Sequence, residues 1–106
     1  MAKYLIQATY TAEGTKGLLA EGGTKRRDAA VKAIKGAGGK VEAFYFTFGK
    51  SDAIVVVELP DNVSAAAASL AINASGVVTT STTVLLSPAE IDKAAKKSVP
   101  YRAPGR

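Results

Sequence analysis

The chain has 106 residues, 47% of them apolar and 22% charged, which is the composition of one globular domain and excludes a disordered or fibrous chain. It contains no cysteine and no histidine, so disulfides, thiol nucleophiles, thiolate or imidazole metal sites and the commonest general base are all excluded. The formal net charge of +5 invites a nucleic-acid reading, but ten of the fourteen basic residues fall in two stretches, Lys25 to Lys35 and Lys93 to Arg106, as a solvated helix and a solvated tail also require.

No metal or cofactor is expected from this repertoire. No cationic start leads into an apolar core with a small-residue cleavage site, and no apolar stretch approaches the ~20 residues that span a bilayer. A cytoplasmic protein without a membrane partner is the expectation.

"KYLIQATY", Lys3 to Tyr10, places Tyr4, Ile6, Ala8 and Tyr10 on one face with the period of two of a strand. "TAEGTKGLLAEGG", Thr11 to Gly23, carries three separate glycine sites and reads as a loop of 13 residues, long enough for a lid or an interface. Thr24 is placed to N-cap a helix that runs to about Ala37, with Ala30, Val31, Ile34 and Ala37 as its apolar stripe and Gly38-Gly39 as its stop.

"KVEAFYFTF", Lys40 to Phe48, and "DAIVVVEL", Asp52 to Leu59, are strands joined by a short glycine-containing link, which predicts a hairpin. Asp61 caps a second helix from Asn62 to about Ala74, and Gly76 closes it. "VVTTSTTVLL", Val77 to Leu86, is a further strand. Ser87-Pro88-Ala89-Glu90 then sets a cap, a first-turn proline and the glutamate of a capping box before a short helix from Pro88 to Lys97. Residues 98–106 are expected as an extended tail beyond a domain of residues 1–97; such a tail packs over a neighbouring subunit or stays free.

The order strand-helix-strand-strand-helix-strand predicts an α+β, ferredoxin-like βαββαβ fold, with four antiparallel strands and both helices on one face. Two helices cover one side of such a sheet only. Apolar residues stand on both faces of the strands: Ile54 and Val56 alternate with Ala53, Val55 and Val57, and Phe44, Phe46 and Phe48 with Ala43 and Tyr45. A solvated face shows cleaner polar alternation, so the helix-free face is expected to be covered by the same face of a second chain across a two-fold axis. That is the dimeric α/β-barrel arrangement, a homodimer or higher homo-oligomer.

Four stretches, "KYLIQATYTAEGTKGL", "GAGGKVEAFYFTFGKSDAIVVVELPD", "LLSPAEI" and the terminal "YRAPG", together resemble the GYD-domain family across nearly the whole chain. The resemblance implies a bacterial, ferredoxin-like, dimeric α/β-barrel domain of largely unassigned function. The chain departs from the family in the motif that names it: Gly49, Lys50, Ser51 and Asp52 stand where the family has Gly, a variable residue, Tyr and Asp. Gly49 and Asp52 carry over as the motif turn, and no role of the Tyr does.

Gly49-Lys50-Ser51 also matches the end of a phosphate loop. Such a loop needs an earlier glycine, and that position is Phe44; it also needs a helix immediately after, and a valine-rich strand follows instead. The tripeptide is therefore expected to be a hairpin turn.

Glu58 stands near the end of an apolar strand on the face assigned to the barrel interior, where burial would raise a carboxyl pKa and make a base at neutral pH; the favoured reading is that it reaches water at the strand end or pairs with a nearby Lys or Arg. Tyr10, Thr11, Tyr45, Thr47 and Glu58 are expected to form a polar, ligand-binding cluster at a barrel mouth, with Glu58 and Tyr10 as candidate catalytic residues. Most of the remaining aromatics are expected in the core. The expected function is binding of a small apolar or aromatic metabolite. A cofactor-independent isomerase or monooxygenase using Glu58 and Tyr10, and a basic nucleic-acid or protein-interaction module, are the alternatives.

Overall fold

In the computed structural model, which describes residues 1–106, the elements run β1 (Ala2–Tyr10), α1 (Ala12–Glu21), α2 (Gly23–Gly36), β2 (Lys40–Phe46), β3 (Ala53–Leu59), α3 (Asn62–Ala74), β4 (Val78–Leu85) and α4 (Pro88–Ala95). The four strands form one antiparallel sheet in the order β2-β3-β1-β4. This is the ferredoxin-like α+β fold expected from the pattern. No helix is long and apolar enough to cross a membrane.

Register sorts the side chains into two faces. Tyr4, Ile6 and Ala8 of β1 stand with Val57, Val55 and Ala53 of β3 and are buried under the helices, where Ile34 of α2 and Ala65 and Ala68 of α3 meet them. Tyr4 is 1% exposed, and its hydroxyl donates to Asn62 Oδ1 at 2.6 Å, so the phenol is satisfied at the start of α3. α3 begins as expected, with the Asp61 side chain accepting from the Ser64 N–H at 2.8 Å. α4 begins with the full capping box of Ser87 and Glu90 and ends at Ala95, two residues earlier than the pattern suggested.

Thr11 to Gly23 is not a loop. It forms α1, N-capped by Thr11, whose hydroxyl accepts from the Gly14 N–H at 3.2 Å. Each glycine weakens an isolated helix by up to about 1 kcal/mol, but Gly14 is needed here by packing. A Cβ at that position would lie 2.2 Å from the Val77 carbonyl oxygen, so only glycine lets α1 approach the start of β4. α2 accordingly starts at Gly23, with Gly22 at φ +85° as the joint between the helices, and Thr24 does not cap it.

β2 ends at Phe46, and Phe48 lies outside it, fully exposed in the turn. A bulge between Val41 and Ala43 shifts the β2 register against β3. The helix-free face is less uniformly apolar than expected. Leu5, Ile54, Val56 and Leu85 on it are half-buried and Tyr45 is exposed, whereas its β4 side carries Thr79, Ser81 and Thr83. From Leu86 to Arg102 every residue is exposed, α4 included.

Candidate functional site

The core divides into two buried groups: one centred on Tyr4, Val57 and Leu59, the other made of Ala8, Ala53 and Val78. Where they meet, both layers are short of bulk. α2 presents Ala29, Ala30 and Ala33, and the strands below present Ala8 and Ala53. Between the layers lies a cavity of about 80 Å³, whose larger walls are Ile6, Ile34, Phe44 and Ile72. Apart from Tyr10, Arg26 and Thr80, the lining is hydrocarbon.

Those three come from different elements. Tyr10 ends β1; its backbone N–H donates to Asp52 Oδ2 at 2.8 Å, which holds the residue in place. Thr80 of β4 is tied to α3 through Asn73, whose Nδ2 donates to the Thr80 hydroxyl at 2.8 Å and whose Oδ1 accepts the Thr80 N–H at 3.0 Å. Arg26 stands in the first turn of α2, and its nearest carboxylate, Glu21, lies 3.9 Å away. Tyr10, Arg26 and Val78 also line an open groove of about 260 Å³ along α1, together with Glu13 and Glu21. The cavity and the groove therefore adjoin at these residues.

The residues expected to form one polar cluster are not brought together. Tyr10, Thr11 and Thr47 gather at the hairpin end of the sheet: Thr11 N–H donates to the Val77 carbonyl, Thr47 N–H to the Asp52 carbonyl, and the Thr47 hydroxyl to the Ser51 carbonyl. Tyr45 pairs with Ile54 on the opposite, helix-free face. Glu58 shares that face at the far end of the sheet. It pairs with Lys3, seven residues before Tyr10 on β1, which is roughly 23 Å along the strand at ~3.3 Å per residue.

At that far end Glu58 Oε2 lies 3.1 Å from Lys40 Nζ, and Lys3 Nζ lies 2.9 Å from Glu42 Oε1. The Lys40 hydrogen bond and charge hold the Glu58 carboxyl below the usual glutamate range, and Glu42 raises the Lys3 ammonium above its own. Glu58 is thus an ion-paired carboxylate and lacks the elevated pKa of a neutral-pH base. Because Tyr10 and Glu58 occupy opposite faces and opposite ends of the sheet, they form no acid–base pair.

Gly49-Lys50-Ser51 is the turn between β2 and β3, as expected, with no helix after it. Lys50 and Ser51 lie beside Gln7, Thr9, Thr79 and Ser81 in a polar depression of the helix-free face. Asp52 has its own task, bonding Tyr10 through its side chain and the Ala8 carbonyl through its N–H.

Arg26 is expected from the sequence on a solvated basic face, and nothing in the local pattern marks Ala29, Ala33, Ile72 or Thr80 as lining a site. The available signal was the run of alanines on α2 opposite alanines in two strands. It became meaningful only once the two layers were superposed.

A ferredoxin-like α+β domain with an apolar cavity under its helices is the class that fold and site define. The GYD domain family matches residues 4–95, most of the 106-residue chain, and the protein belongs to that family. No curated protein and no solved structure matches it.

Proposed function

We propose that this GYD-domain protein binds a small apolar metabolite in the cavity between α2, α3 and the sheet, and that it does so as a homo-oligomer joined through the helix-free sheet face. The cavity carries the reading: a space with hydrocarbon walls and a few polar groups at one edge is how small-molecule sites are built. At about 80 Å³ it is roughly half the size of the 150 Å³ apolar cavity that takes benzene. A hydrocarbon segment of about three to four carbons fits inside by that comparison, and the rest of a longer ligand, or an aromatic ring, needs the adjoining groove as well. Half-buried Leu5, Ile54 and Val56 with exposed Tyr45 support a second copy on the helix-free face, since contiguous exposed apolar surface marks interaction sites.

The test is a methyl-detected NMR titration of the full chain with 3-methylbutan-1-ol. Saturable shifts centred on Ile6, Val55 and Ile72 are expected. Ala30→Leu, which fills the cavity from α2, is expected to abolish them while changing stability by no more than about 1.5 kcal/mol. Shifts confined to other surfaces, or none, refute the reading.

A further inference from the structure

We propose that the cavity selects a short-chain monocarboxylate, with its hydrocarbon tail inside and its carboxylate held by Arg26 at the junction of the cavity with the α1 groove. The proposal rests on the cavity being a ligand site and names the chemistry of that ligand. Arg26 is the only charged residue of the cavity lining. It lines both the cavity and the groove, as does Tyr10, and so stands where a ligand's head would emerge from the hydrocarbon walls.

The guanidinium is largely unspent. Glu21 is 3.9 Å from it, too far for a hydrogen bond, and the two side chains are 35% and 48% exposed. Exposed pairs of this kind hold their partners weakly, so an incoming carboxylate can displace Glu21. A planar guanidinium offers two parallel N–H groups to a carboxylate, a match that an alcohol cannot make and that an ammonium would meet with repulsion. Glu13 and Glu21, which line the same groove, disfavour a second negative charge, which specifies a monoanion.

The experiment compares 3-methylbutanoate with 3-methylbutan-1-ol, probes with the same hydrocarbon tail, by NMR titration of the full chain at neutral pH. The carboxylate is expected to bind about tenfold tighter, as one charge-assisted contact provides. Arg26→Gln is expected to bring the two within about twofold of each other by removing that contact. Glu21→Gln is expected to tighten carboxylate binding and leave the alcohol unchanged, which keeps the test decisive should the arginine variant fold poorly.

Equal binding of the two probes to the wild type, or a preference that survives Arg26→Gln, overturns the carboxylate assignment and leaves the apolar-site reading standing. Weaker carboxylate binding in Glu21→Gln also overturns it. Absence of binding by either probe removes both.

Discussion

Asp52 and Tyr10 join the two central strands past the end of their regular pairing: Asp52 Oδ2 accepts the Tyr10 backbone N–H at 2.8 Å, while the Asp52 N–H donates to the Ala8 carbonyl at 2.8 Å. The aspartate of the family's motif thus acts as a brace at the cavity edge, where Tyr10 lies. Asp52→Ala leaves a half-buried N–H without its acceptor, and the expected loss is about 1.5–3 kcal/mol. Urea unfolding measures it, with increased amide exchange at Tyr10 and Thr11 as the local signature. Unchanged exchange at both positions contradicts the brace.

The two interior glycines of α1 are expected to respond in opposite directions. Gly14→Ala forces a methyl group against the Val77 carbonyl oxygen and is expected to cost about 1–3 kcal/mol as overpacking. At Gly17 a Cβ meets nothing within 4 Å, so Gly17→Ala is expected to stabilise by about 0.5–1 kcal/mol through helix propensity. Thermal denaturation of both variants decides the matter; equal effects would mean that α1 does not rest on β4 in this way.

Glu58 titrates below the ordinary glutamate range because Lys40, and more weakly Lys3, favour its charged form. A lowered native pKa adds stability above the unfolded-state pKa, and that contribution is lost as pH falls through the native value. The protein is therefore expected to lose this increment on the acid side and to show no change from Glu58 near neutrality. In Lys40→Met, carboxyl-detected NMR should find the Glu58 midpoint moved up. A wild-type midpoint near neutrality would reinstate Glu58 as a base.

For the proposed assembly, Ile54→Lys places a charge in the middle of the helix-free face without touching the helix-covered core. Sedimentation is expected to show an oligomer for the wild type and a monomer for the variant, with helix content by circular dichroism unchanged. A monomeric wild type removes the assembly from the functional proposal and leaves the cavity in place.

What the sequence determined by itself were features set within a few residues. Alternation in "KYLIQATY" and "DAIVVVEL", the aspartate cap at Asp61, the capping box at Ser87 and the turn at Gly49 were all legible, because their physics acts between near neighbours. Tertiary structure decided the rest. α1 is a helix despite its glycines because Gly14 rests on the Val77 carbonyl, a contact spanning 63 residues of chain that no local pattern contains. Sheet register sent Tyr10 and Glu58 to opposite faces and ends, dissolving the cluster that composition suggested. The cavity, likewise, belongs to no single segment. It exists because alanines of α2 were laid over alanines of β1 and β3, and unfilled volume is a property of two packed layers.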